Sequence, residues 1–411
     1  MLKNIRGRKK KIKFKFLFFS QYFWPENFRI NELVKFFYKK NFFISVLTTF
    51  PSYPDQKIFQ NFKEKNFVSK KIELTRFKTF PRSKTNLSII LNYITFIINS
   101  LSSLLKFLTF KKTDVIFIFC PSPILSAIPA ILINKFFNKK IVIWVLDLWP
   151  DTIIDLKIVK NKFLIFISKK IVNYIYNNSD LILAQSQTIK KTIQKRTSTE
   201  CIFFPSWPEE DVNRNISKIK IFEKKNKDFL YIVFTGNIGE AQSFETLIKA
   251  AKILKKKFKI KWLIVGDGRW KEKFSYLIKK NELNNQIKLF NSVDVSQIKS
   301  IFNYSDALYL SLKNNSTFNK TIPGKLQTYM ASGKPIIGSI SGEAQKIIKL
   351  SNCGFASKAE DYKKLAKNIE TFIRLPQNQR KMLGLNGKKY VLQNFNKKKI
   401  INNLINKITN L

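Results

Sequence analysis

The chain has 411 residues, 45% apolar and 25% charged, which is ordinary globular usage, implies two or three domains, and excludes wholesale disorder, collagen-like repeats and a multispan membrane protein. It contains no histidine, so Ser-His-Asp and Cys-His nucleophiles, histidine bases and His-ligated zinc or haem are all excluded. Lys and Arg outnumber Asp and Glu by 75 to 27, a net charge of +48, strong enough to concentrate polyanions or adhere to anionic lipid. Only ten of the 75 are Arg, and Asn, Ile and Phe are abundant. Drift toward A/T-rich codons and a basic membrane-facing surface both account for that bias. Nucleic-acid binding is not expected, since no helix-turn-helix, Arg-rich or RNA-sheet signature is present.

In chain order, residues 1–20 read as a basic tail entering a buried strand, because Lys13 and Lys15 interrupt the apolar run and no small-residue cleavage site follows. The first series of strands is expected at Phe14–Phe19, Phe42–Thr48, Asp114–Phe119, Ile141–Asp147, Asp180–Ala184 and Cys201–Phe204, with helices such as Asn27–Lys39 and Lys162–Tyr176 between them. Residues 85–105 carry no charge. Ser88, Asn92, Thr95, Asn99 and Ser102 recur at helical spacing against an aliphatic arc, so the segment is an amphipathic helix. It packs on a sheet, rests on a membrane beside Lys106, Lys111 and Lys112, or spans one. Three scattered cysteines, Cys120, Cys201 and Cys353, give neither a disulfide framework nor a zinc pattern and fit a reducing, cytoplasmic setting.

After Pro205 a charged stretch without periodicity reads as a linker. A second series follows, with strands at Phe229–Thr235, Lys259–Val265, Ile287–Phe290, Ala307–Ser311 and Pro335–Gly338. Helices are expected near Phe244–Lys256, Arg269–Lys280, Lys325–Ser332, Glu343–Leu350 and Asp361–Ile373. The expected fold is α/β: two doubly wound Rossmann-like domains facing a cleft, at 1–206 and 229–396, joined by a linker at 207–228. In such sheets the turns after the strands carry the chemistry.

Those turns hold the candidate residues. FTGNIGEAQ brings Gly236, Asn237, Gly239 and Gln242, and VGDGRW brings Gly266, Asp267 and Gly268; glycines here let a backbone approach an anion. NKTIPGKLQ brings Thr321, Ile322, Pro323, Gly324 and Lys325 to a helix start with Lys320 close by, a diphosphate cradle. Glu343 opens the next helix, where it complements the dipole or grips a ribose diol. In the first domain Glu26, Asn27 and Arg29 accompany Phe23 and Trp24, and Asp147 and Asp151 accompany Trp149. Aromatic rings beside carboxylates suit a sugar; the alternative is that both Trp-Pro pairs close loops over the core. No DxD pair is present, and neither a metal nor another cofactor is expected.

These motifs resemble family 4 of the GT-B glycosyltransferases, in particular the bacterial branch building O-antigen and colanic acid polysaccharides, including N-acetylfucosamine transferases. The resemblance rests on YFWPEN at 22–27, WVLDLWPD at 144–151, TGNIGEAQSFETLIKAA at 235–251, VGDG at 265–268 and IPGKLQTYMASGKPII at 322–337, and covers nearly the whole chain. It implies a nucleotide-sugar donor held by the second domain, with a UDP donor carrying an N-acetylated amino sugar. The acceptor, a lipid-linked saccharide or polysaccharide, approaches from the first domain. It also implies retention of anomeric configuration and a final helix at 397–411 crossing back to the first domain. On the transferase reading the positive charge favours a peripheral protein at the inner face of the plasma membrane. Departures exist: the Glu-x7-Glu pair of many relatives is Lys320 and Thr328 here, Asn237 and Gln242 stand where relatives often carry Arg and Lys, and a Gly-Gly loop is replaced by Pro25–Arg29. On this reading Lys325 and the amides of Ile322–Lys325 hold the diphosphate, Glu343 takes the ribose, and Asp147 and Glu26 contact the reacting sugars, with Asp147 and Lys325 as the catalytic pair. The rivals are a sugar-nucleotide epimerase, which would want a histidine, and a non-catalytic GT-B protein binding polyanions or anionic membrane.

Overall fold

The computed structural model describes residues 14–63, 67, 72–83, 85–105, 111–155, 158–209, 222 and 224–411. The basic tail before residue 14, Lys106 and most of the 207–228 linker lie outside the described residues. The chain divides into two compact units, one holding the chain to Ala184, Lys190–Phe204 and Ile401–Leu411, the other Gln185–Ile189 and Pro205–Ile400.

The first unit is a parallel sheet of β1 Lys15–Ser20, β2 Phe43–Thr49, β3 Ile72–Phe77, β4 Val115–Cys120, β5 Lys140–Val145, β6 Leu181–Ala184 and β7 Cys201–Phe203, in the order 3-2-1-4-5-6-7. The helices in this part of the chain are α1 Arg29–Lys39, α2 Asn86–Leu105, α3 Ile128–Phe137, α4 Asp151–Asp155, α5 Lys162–Asn177 and α6 Gln187–Gln194. Every residue of central β4 is buried, as expected for a strand covered on both faces. Phe37 of α1 meets Phe16 and Phe18 of β1 edge-on at 4.9 and 5.4 Å, and burial of each such ring contributes about 1.5–3 kcal/mol.

Helix α2 is oriented against the usual rule. Its buried positions are Ser88, Asn92, Phe96 and Ser100, while Leu87, Ile90, Ile94 and Ile98 are exposed. Phe96 reaches the sheet through Phe19 and Phe77. The rest of the inward face is held by hydrogen bonds to the chain leading into the helix: Asn92 Nδ2 donates to Phe80 O, Asn99 Nδ2 to Lys78 O, and Thr95 Oγ1 accepts from Phe80 N. No helix among the described residues is long and apolar enough to cross a membrane.

The second unit holds β8 Leu230–Thr235, β9 Ile260–Val265, β10 Ile287–Phe290, β11 Ala307–Ser311, β12 Ile336–Ser339 and β13 Gly354–Ser357, parallel, in the order 10-9-8-11-12-13. Around it run α7 Phe244–Leu254, α8 Lys271–Lys280, α9 Ile298–Tyr304, α10 Ser316–Lys320, α11 Gly324–Ala331, α12 Gly342–Leu350, α13 Tyr362–Arg374 and α14 Gln377–Asn394. The last helix, α15 Lys397–Ile408, starts in this unit with Lys397 over Trp207; from Ile401 it belongs to the first unit, where Lys407 pairs with Glu200. Both sheets reverse direction at one point, β1/β4 and β8/β11, so the turns after those strands open a crevice at their carboxyl ends.

Candidate active site

In the second unit the site begins at the turn after β8. Gly236 has φ +119°, and a methyl there would lie 2.6 Å from Lys325 Cε. The bare glycine lets the Lys325 side chain lie across the turn, its Nζ 4.0 Å from the Phe234 ring centroid. Burial pushes the Lys325 ammonium down to about 7. Lys325 is the second residue of α11, whose first-turn N–H groups have no partner within the helix. Tyr329, one turn on, fixes the geometry: its hydroxyl accepts from Thr235 N and donates to Thr235 O, tying the end of β8 to α11. A cation, a helix start and a bare turn therefore converge, which is what an oxyanion such as a diphosphate requires.

The neighbouring turn is interlocked with the first. A methyl on Gly266 would fall 1.9 Å from Gly236 O, and one on Gly268 2.3 Å from Ile238 O. Gly266→Ala should therefore lower stability by about 2–3 kcal/mol and the melting temperature by roughly 5–10 °C. Gly324 is the opposite case, with nothing within 4 Å of an added methyl. Gly324→Ala should melt within about 2 °C of the parent, yet weaken UDP binding tenfold or more if the diphosphate occupies that space. Isothermal titration and thermal melts on the two variants check both statements.

Several expected donor residues have other work. Gln242 Oε1 accepts from Gly239 N, closing its own turn, and Gln242 O accepts from Ser311 Oγ. Thr321 Oγ1 donates to Thr317 O, and Ile322 is buried in the core. Asn237 lies against Gly239 and Gly268 in the interlocked turns, and Pro323 caps α11. Thr328, at the position where relatives often carry a carboxylate, returns its hydroxyl to Gly324 O.

Glu343 requires a correction. Rather than reaching toward a ribose, its carboxylate accepts from Gln187 N and Thr188 N, both at 2.8 Å. Ser186 Oγ completes the cap, accepting from Ile189 N and donating to Lys320 O. All three leading N–H groups of α6 are thus satisfied, which is why Gln185–Ile189 belongs to the second unit. Glu343→Ala should cost about 1–2 kcal/mol of stability and leave the UDP-induced thermal shift unchanged, the reverse of what a ribose ligand predicts.

In the first unit Asp147 follows β5. Burial pushes its carboxyl up to about 6, against the hydrogen bond from Ser122. Ser122 also accepts from Trp149 Nε1 at 3.2 Å, so the turn after β4 positions both residues, a link that their distance in sequence concealed. Asp151 is taken by Arg196 at 2.6 Å, and Arg196 also donates to Trp149 O. Glu26 is the second correction. Its Oε1 accepts from Ser52 N and Tyr53 N and its Oε2 from Phe23 N. It is 2% exposed, and burial pushes its carboxyl up to about 7. Glu26 therefore joins the turns after β1 and β2 instead of presenting oxygens to a sugar. Phe23 is core, and Trp24 packs on Phe62 and Phe67. Asn27 is exposed, and Arg29 pairs with Glu32 one turn along α1.

A cluster missed in the sequence stands beside them. Arg82 donates to Tyr22 OH and lies 5.3 Å from the ring centroids of both Tyr53 and Tyr93. It also lines a cavity of about 610 Å³ with Phe50, Asp55, Lys57, Phe59 and Lys78.

Residues 215–390 match the family described as glycosyl transferases group 1. The matched stretch contains all of the Gly236, Gly266 and Lys325 constellation. Among relatives, the uncharacterized glycosyltransferase MJ1069 of Methanocaldococcus jannaschii is 28% identical over 247 residues, 59% of this chain and 61% of its own. The colanic acid biosynthesis glycosyl transferase WcaI of Escherichia coli K12, itself designated putative, is 22% identical over 316 residues, 74% of this chain and 76% of its own. MJ1069 and the probable glycosyltransferase WbjE of Pseudomonas aeruginosa are matched over 61% and 64% of their own length, less than two thirds. Anabaena Alr3699/HepE, solved in complex with UDP and glucose, superposes with a TM-score of 0.68 at 13% identity, covering 97% of this chain and all of that one. Two parallel-sheet, Rossmann-like α/β units, like those of the GT-B neighbours, are what the sequence led one to expect.

Proposed function

We propose that the chain is a retaining glycosyltransferase that moves a sugar from a UDP donor to a lipid-linked saccharide during cell-surface polysaccharide synthesis. The observation carrying the reading is the Lys325 ammonium laid across the Gly236 turn at the head of α11. The acceptor hydroxyl forms its bond to the anomeric carbon on the face from which the diphosphate leaves. The departing diphosphate oxygen takes the acceptor proton. Lys325 and the α11 amides stabilise the charge that grows on it, and Asp147 orients the acceptor side. None of these roles needs imidazole. The match of residues 215–390 and the UDP complex of HepE support this reading, and the similarity to the colanic acid glycosyl transferase WcaI supports polysaccharide synthesis; an N-acetylated amino sugar as the transferred group is our proposal from the sequence resemblance. We place the enzyme at the inner face of the plasma membrane, where lipid-linked acceptors lie.

The test is a panel of UDP- and GDP-sugars with lipid-diphosphate-linked acceptors, product anomers being read by NMR. A UDP-sugar transferred with retention, and a UDP-induced thermal shift that survives high salt, support the reading. Equal, salt-erased shifts with UDP, DNA and inorganic diphosphate, and no transfer, would make the protein a polyanion binder on a GT-B fold.

A further inference from the structure

We infer that α2, α3 and α5 form the surface by which the first unit docks on an anionic lipid bilayer, with the outward stripe of α2 entering the interface. The inference rests on the membrane placement proposed above and assigns it to named residues. The connections β3 to β4, β4 to β5 and β5 to β6 all step the same way across a parallel sheet. Right-handed crossovers therefore put α2, α3 and α5 on one face. α2 packs on α3, and all three helices touch the short turn Ile124–Ala127.

That layer leaves many apolar groups exposed. On α2, Leu87, Ile90, Ile94 and Ile98 recur every three or four residues at 68, 53, 47 and 58% exposure. α3 adds Phe136, 81% exposed. The first two turns of α5 add Phe163, Leu164 and Phe166, each at least half exposed. A single exposed leucine means nothing, but exposed apolar groups on three helices of one layer, with Lys135 of α3 lying over Tyr174 of α5, make a broad apolar face.

Charge selects the occupant. The three helices contain no Asp or Glu, and α2 has no charge at all. Around the apolar stripe stand exposed Lys135, Lys162, Lys169 and Lys170, with Lys111 and Lys112 beyond the end of α2. An apolar stripe with a lysine rim and no carboxylate matches the acyl boundary and headgroups of an anionic leaflet.

The experiment is flotation of the full chain with vesicles of phosphatidylcholine alone and of phosphatidylcholine with phosphatidylglycerol, at low and high salt. The variants are I90S/I94S/I98S, F163S/F166S and, as a control on the other unit, L350S, also an exposed aliphatic residue. The substituted side chains face solvent, so melting temperatures should stay with the parent. Expected are binding to the anionic vesicles, a loss of tenfold or more in the α2 and α5 variants, and none in L350S. Equal binding by parent and α2 variant would overturn the assignment, as would no vesicle binding by the parent. Concentration-dependent dimers that the α2 variant abolishes, without vesicle binding, would instead assign the face to a second copy. Transfer to a short, water-soluble acceptor, measured on the same variants, should be unchanged, so failure of the docking face and failure of the transferase reading are separately visible.

Discussion

Lys325→Ala should lower kcat/KM by about 10²–10³-fold, because in the proposed mechanism it removes the cation facing the leaving diphosphate. A pH signature distinguishes this from simple misfolding. The Lys325 ammonium is held at about 7, against 10.5 in the unfolded chain, so between pH 7 and 10.5 the unfolded chain binds the extra proton. Stability of the ligand-free protein therefore rises with pH through that window. Diphosphate binding runs the other way: the anion needs the ammonium, and UDP affinity falls as pH climbs above 7. Lys325→Met removes both slopes and, below pH 7, relieves the cost of a buried charge. Melts with and without UDP from pH 6 to 9 read both. A UDP shift independent of pH in the parent and retained in the variant would refute the role.

Asp147→Asn is the second large effect, an expected loss of about 10²-fold in kcat, as for a side chain that orients the reacting hydroxyl. With its carboxyl pushed up to about 6 from 3.8, the folded protein holds the extra proton between those values. Stability then falls as pH rises from 3.8 to 6, and the Asn variant is the more stable protein at neutral pH. Parent activity should rise through pH 6 as the carboxylate forms. Ser122→Ala, which removes the hydrogen bond opposing the burial effect, should move that limb to higher pH. A variant retaining full kcat would exclude Asp147 from the reaction.

The two sheets were legible because nearly every strand is an apolar run ended by Pro, Gly, Asn or Asp. The elements that escaped are those whose sequence lacks such contrast. β3 lies at a sheet edge and mixes Glu73, Thr75 and Arg76 into its run, while β13 is four residues opening on Gly354. α14 buries only Leu383, Gly384, Gly387 and Val391 of 18 residues. In the site, turn glycines and Lys325 could be read locally, since their roles depend on neighbours a few residues away. Glu26 and Glu343 could not: each looks like a ligand in its own turn, and each is engaged by backbone N–H groups 26 or more residues distant. Proximity to a crevice makes a carboxylate a candidate, and only its hydrogen bonds decide.

The reversed packing of α2 also predicts which changes the chain tolerates. In an ordinary surface helix the buried aliphatic positions resist substitution and the outward ones drift. Here register is set by directional bonds from Asn92, Thr95 and Asn99, and Asn92 further accepts from Gln21, the residue that follows β1. A saturation scan should find those polar positions nearly invariant, with leucine as damaging at Asn92 as lysine. Ile90, Ile94 and Ile98 should accept one another's side chains, valine or phenylalanine without consequence. The helix has its specificity on the inside and its solubility cost on the outside, so preparations away from lipid should be limited by self-association well below their unfolding temperature.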